Sequence, residues 1–160
     1  MPLSASFQKI DNKIFLEGEH QAAVVYLGQL ALSDLMAAEL ALHAAVLINQ
    51  VLQVEHSLFW ELANDRQSLV LLAGPEDLES PAVLSPIAVD QSSTEGLAIS
   101  SPSPILVEKS GAETIITSCD SNADPGVKHG LSLRIGTLEK PYGILQIVSG
   151  EGQNFSQNDL

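Results

Sequence analysis

The run HGLSLRIGTLEKPYGILQIVSGEGQNFSQNDL, residues 129–160, decides how the rest of the chain is read. Within it Leu131, Leu133 and Ile135 alternate with Ser132 and Arg134, the period-2 pattern of a half-buried strand. Residues 142–148 form a second apolar run with a polar break at Gln146. Gly136 and Pro141 flank the charged residues between them, and a chain that brings charge to water between two apolar segments reverses direction there. The two runs are therefore expected to pair as an antiparallel hairpin. As the most apolar strands of the chain, they should sit at the centre of its sheet.

Working outward, residues 57–62 (SLFWEL) and 68–73 (SLVLLA) are two further apolar runs joined by the short turn ANDRQ, and they read as a second hairpin. Residues 84–89 suggest another strand, which Pro86 would confine to an edge or a bulge. QSSTEGLAIS, residues 91–100, reads as one or two helical turns, and residues 105–109 as a short strand. Residues 110–128, with SCDSNADPG, read as a long irregular loop. Upstream of all this, QAAVVYLGQLAL (21–32) is an apolar helix with Val24, Leu27 and Ala31 on one stripe and Val25 and Leu32 widening it. Ser33 and Asp34 interrupt it and are suited to cap a second helix, in which Leu40, Ala44, Leu47, Ile48 and Val51 recur at helical spacing. Residues 1–20 have weak periodicity and read as an N-terminal arm or linker. The expectation is an α+β domain over residues 21–160, an antiparallel sheet of five or six strands with helices packed on one face.

Composition narrows the function classes. With 160 residues and 45% hydrophobic content the chain can bury one sizeable core. Seven basic against twenty acidic residues give a net charge of −13, and the basic residues are scattered singly. That balance repels phosphate backbones and anionic lipid surfaces, so neither nucleic acid nor a membrane is an expected partner. The one cysteine, Cys119, has no intrachain partner for a disulfide and does not make a multi-cysteine metal site. A signal-like N-terminus and an apolar run of membrane-spanning length are both missing, and a cytoplasmic location is the expectation.

The closing hairpin, LSLRIG, a charged turn, PYGILQIVS and then FSQND, resembles that of GAF domains, the small-molecule sensing modules of bacterial signalling proteins. The likeness extends from Val24 to Asp159. AVVYLGQLALSDLMAAELALHAAVLINQVLQVEHSLFWEL is similar to the opening helix, break, second helix and first strand of the family, and SPSPILVEK followed by a variable loop and His129-Gly130 keeps its order. The resemblance implies a non-catalytic sensory or regulatory module of a histidine kinase, response regulator or nucleotide cyclase. It implies a pocket between the sheet and a cover of helix and loop, within residues 90–128. It also implies dimerisation and an output domain in the larger protein. In the family a last helix follows from about Phe155; residues 21–160 are expected to lack it.

The candidate residues divide by ligand class. Trp60, Leu131, Leu133, Ile135 and Cys119 are the candidates for pocket walls. Cyclic-nucleotide-binding relatives share an Asn-Lys pair ahead of Phe, three residues and Asp-Glu; this chain keeps Phe155 and Asp159 but has Ser149-Gly150 and Leu160 at the other positions, which argues against a cyclic nucleotide. Covalent bilin attachment usually has His after its cysteine, and Asp120 follows Cys119 here. Haem would need an axial ligand from His43, His56 or His129, and His43 falls at the edge of an apolar helical stripe. The ligand, if any, is left unnamed, and a purely structural dimerisation domain is the bland alternative. The enzyme alternative within the resemblance is free methionine-sulfoxide reductase, with Cys119 of SCDSNAD as a thiolate nucleophile. Against it, STEGLA stands where further cysteines would be, and Gln146 and Val148 replace the paired aspartates of the last strand. For self-association, the first helix is apolar on more surface than one sheet can cover, and an isologous contact through Val24, Val25, Leu27 and Leu32 is expected.

Overall fold

The computed structural model describes residues 4–74, 85–90, 93–110, 113–118 and 128–149, with side chains over 18–74, 85–90, 93–107 and 130–149. The elements run α1 (Ser4–Ala31), α2 (Ala37–Leu52), β1 (His56–Leu62), β2 (Ser68–Ala73), β3 (Ile87–Ala88), α3 (Thr94–Ser100), β4 (Ile105–Ser110), β5 (Glu113–Ser118), β6 (Lys128–Gly136) and β7 (Pro141–Val148). All strand pairings are antiparallel, in the order β3-β2-β1-β7-β6-β4-β5. Six strands have six or more residues, and β3, which follows directly on Pro86, is a two-residue strand on the edge.

The closing hairpin forms in the expected register, with Leu131 opposite Ile147, Leu133 opposite Leu145 and Ile135 opposite Gly143. Strand β7 lies in the middle of the sheet between β6 and β1. Gly136, at φ +95, opens the reversal, and a Cβ there would come within 2.6 Å of the Lys140 carbonyl, so the turn requires glycine. The long loop expected at 110–128 instead contains β5. Its ETIITS sequence is rich in β-branched residues, which fit a pleated surface, and it pairs along the whole of β4.

At the other end, the expected arm at 1–20 is helical from Ser4 and continuous with the greasy segment, so α1 spans 28 residues. Ser33 closes this helix rather than opening the next: its hydroxyl donates to the Leu30 carbonyl at 2.6 Å. Helix α2 starts at Met36, whose N–H donates to the Glu39 carboxylate at 2.9 Å, a side chain reaching back from the first turn. It ends at Gln53, in the left-handed conformation at φ 55.

Two cores form, one on each side of the sheet. On one side Val54, Leu131, Leu145 and Ile147 bury themselves with Phe59 and with Ile48 of α2, and α2 lies along β1 and β2 with Ala41, Ala44 and Ala45 buried. The Ser57 hydroxyl, fully buried, donates to Asn49 Oδ1 at 2.6 Å and ties the helix to β1. On the other side Leu58, Trp60, Leu69, Ile105 and Ile144 pack with Ala98 and Ile99 of α3. The two long helices thus share one face, as expected, while the short α3 covers the opposite face. At about 25 cal/mol per Å2, burying an indole of roughly 200 Å2 contributes about 5 kcal/mol, which makes Trp60 the largest single anchor of the α3 side.

Candidate functional site

The polar side chains gather beneath α3. Helix α3 begins at Ser93, whose hydroxyl accepts from the Gly96 N–H at 3.0 Å. Gly96 sits against the preceding loop so closely that a Cβ would lie 1.7 Å from the Asp90 carbonyl oxygen. This contact holds the first turn of α3 against that loop, and Glu95 of the same turn lies over the sheet. The Gln146 side-chain amide donates to Glu95 Oε1 at 3.3 Å and its oxygen accepts from Trp60 Nε1, also at 3.3 Å. Three elements, β1, β7 and α3, are joined by this one chain of hydrogen bonds.

Next to it, Ser132 lies directly opposite Gln146 in the β6–β7 ladder and Ile105 flanks it on β4. The Ser132 hydroxyl is fully buried and has no hydrogen-bond partner among the described residues. A buried hydroxyl left unpaired costs about 1–3 kcal/mol, so its presence on this face is a feature to be accounted for. Arg134, two residues on, spans the rim: its guanidinium donates to the Ser101 carbonyl, and its Nε to the Gly136 carbonyl at 3.4 Å. This side of the sheet therefore gathers an amide, a carboxylate, a guanidinium and a buried hydroxyl around the packed residues Trp60, Ile105 and Ile144.

The sequence-derived wall residues do not come together. Trp60 lies on the α3 side, whereas Leu131 packs on the α2 side with Leu133 and Ile135 against it. Cys119 lies outside the described residues. Of the histidines, His43 is exposed on α2, His56 sits 3.6 Å from the Glu55 carboxylate, and His129 pairs through its backbone with Glu108. Among the described residues no three His, Cys, Asp or Glu side chains are grouped so as to hold a metal ion, and no helix is long and apolar enough to cross a membrane.

Glu95, Ser132 and Arg134 were not offered as site residues from the sequence, and Gln146 entered only as a replacement for an aspartate of the reductase. Their signal was present as polar interruptions of apolar runs, but such interruptions ordinarily point to solvent. Here α3 covers them.

Neither the models of known families nor the curated proteins give a match to this chain. Among solved structures, the GAF domain of an Acinetobacter phosphoenolpyruvate-protein phosphotransferase superposes with a TM-score of 0.65 over 88% of this chain and 82% of that one, at 12% identity. The fold is GAF-like. A phycocyanobilin-bound GAF domain from a cyanobacterial phytochrome matches with a TM-score of 0.61 at 13% identity, over 90% of this chain and 85% of its own. The chromophore-binding domain of a bacteriophytochrome from R. palustris matches at 0.54 and 14% identity, over 86% and 53%. The GAF-like fold thus bears out the resemblance carried by the closing hairpin, at identities where sequence alignment alone carries little.

Proposed function

We propose that this chain is a sensory or regulatory module of a bacterial cytoplasmic signalling protein, non-catalytic in itself, which binds a small molecule on the α3 face of its sheet and passes the bound state to an output domain. The observation that carries the reading is the fully buried, unpartnered Ser132 hydroxyl beside the Trp60–Gln146–Glu95 chain. A ligand group that reached Ser132 would supply the missing hydrogen bond and gain the directional contact that distinguishes it from a purely apolar competitor. The GAF-like neighbours support the reading, since one of them is a phycocyanobilin-bound GAF domain from a phytochrome and another belongs to a phosphotransferase.

A ligand that binds the native state alone raises its melting midpoint, so a thermal-shift panel of amino acids, cyclic nucleotides, haem and bilins tests the reading. Trp60 is the only tryptophan and is 3% exposed on the α3 side, so the same ligand should change its emission. A compound that raises the midpoint and leaves Trp60 emission untouched binds elsewhere and counts against this site. The chain as an enzyme would instead turn over methionine sulfoxide with a thiol reductant and lose that activity in Cys119→Ser.

A further inference from the structure

Across the α3 face Leu58 of β1, Gln146 of β7, Ser132 of β6 and Ile105 of β4 stand in one row, each directly opposite the next. Side chains so placed have Cβ atoms about 4.5–5.5 Å apart, within the span of a glutamine. Of the two neighbours of Ser132 in the row, Ile105 has no polar side-chain atom and Gln146 has an amide. The amide is not spent on the hydroxyl; Trp60 and Glu95 hold it instead. Both of those bonds, at 3.3 Å, are longer than the roughly 2.7–3.2 Å usual for N–H···O.

Gln146 therefore stands between competing partners. Where it is, the indole N–H is satisfied and the buried Ser132 hydroxyl is not. Turned toward β6, it would pair with the hydroxyl and leave the indole N–H alone. Each arrangement strands one buried polar group, and such groups carry penalties of similar size, so neither holds a decisive advantage. Glu95 loses little in the exchange, because it is half-buried and keeps access to water. Packing confines Gln146 less than the rest of its strand: it is half-buried, whereas Ile144, Leu145 and Ile147 are buried.

We propose that Gln146 is a two-position relay between the sheet and α3. In one position, the one seen here, it ties the Trp60 indole to Glu95 and so holds the first turn of α3 down. In the other it pairs with Ser132 and releases both. The far end of α3 stays fastened, because the Arg134 guanidinium donates to the Ser101 carbonyl in either case, so the helix loosens from its N-terminal turn. A ligand group that takes the Ser132 hydroxyl removes the second position and locks α3 down, which turns occupancy into a helix position. That last step rests on the ligand reading above; the relay in the ligand-free chain does not.

The indole N–H resonance of Trp60 in the ligand-free 160-residue chain, isotopically labelled for NMR, tests it. Ser132→Ala deletes the competing partner without touching Trp60, and Gln146→Leu deletes the relay. The resonance of the unmodified chain should lie between those of the two variants, with Ser132→Ala at lower field because the bonded position is then filled completely. The Leu97 N–H, which donates to the Ser93 carbonyl in the first turns of α3, should exchange with solvent more slowly in Ser132→Ala than in the unmodified chain. An indole resonance that Ser132→Ala leaves in place or moves to higher field overturns the relay, as does unchanged exchange at Leu97. No ligand is needed, so a panel without a hit counts against the proposed function and leaves this result standing.

Discussion

Trp60 and Gln146, 86 residues apart in sequence, are hydrogen-bonded across the central strands of the sheet, the indole N–H donating to the amide oxygen at 3.3 Å. The same glutamine donates onward to Glu95, so it satisfies a buried donor on one side and orients α3 on the other.

Gln146→Leu keeps the volume but strands the indole N–H. Leaving such a donor unpaired costs about 1–3 kcal/mol, and urea unfolding should show a loss of about 2 kcal/mol with an unchanged slope. Trp60→Phe combined with Gln146→Leu should cost less than the sum of the single changes by roughly 1 kcal/mol, because the pair shares one interaction. Strict additivity would mean the bond contributes nothing.

Ser132→Ala removes a buried hydroxyl that has no partner. Without ligand the variant should be more stable than the unmodified chain by roughly 1 kcal/mol, since the desolvation penalty disappears and only one atom of packing is lost. A clear destabilisation in urea would show that the hydroxyl is satisfied in solution by a trapped water.

Tyr142 has its pKa raised above the ordinary 10.0, first by loss of hydration, then by its hydrogen bond to Glu61 and the charge of that carboxylate. In the folded chain the phenol keeps its proton at pH values where the unfolded chain has begun to lose it. Below pH 10 both states are protonated and stability is indifferent to this group; above it the unfolded state is favoured as pH climbs. Tyr142→Phe should therefore flatten part of the alkaline decline in melting midpoint and leave the midpoint's pH dependence near neutrality as it was. An unchanged alkaline limb in the variant would exclude Tyr142 as its source.

Much of the architecture was legible because patterning and burial agree. The period-2 run at Leu131, Leu133 and Ile135 does turn its odd members to one core, Leu131 buried and Leu133 and Ile135 half-buried, and residues 68–73 form a strand with those bounds. The segment beside Pro86 does lie on the edge, and its strand begins only after the proline, which has no N–H to give to a ladder. The turn at Ser33 was misread because serine and aspartate cap helix starts more often than they close helix ends; here the hydroxyl found the Leu30 carbonyl instead. The site was less legible than the fold. Alternation in β6 says that Ser132 and Arg134 face away from Leu131 and Leu133, but only the placement of α3, fixed by the close contact of Gly96 with Asp90, says that this second face is covered. Grouping Trp60 with Leu131 as walls of one pocket overlooked that their strands, separated by β7, present them to opposite sides.

The central claim is that a small molecule binds on the α3 face, and a thermal-shift panel run in parallel on the unmodified chain and on Gln146→Leu tests it most directly. The prediction is a compound that raises the midpoint of the unmodified chain by several degrees, changes Trp60 emission, and binds at least tenfold more weakly to the variant. A compound that stabilises both chains equally, or a panel in which amino acids, cyclic nucleotides, haem and bilins all leave the midpoint unmoved, would contradict it.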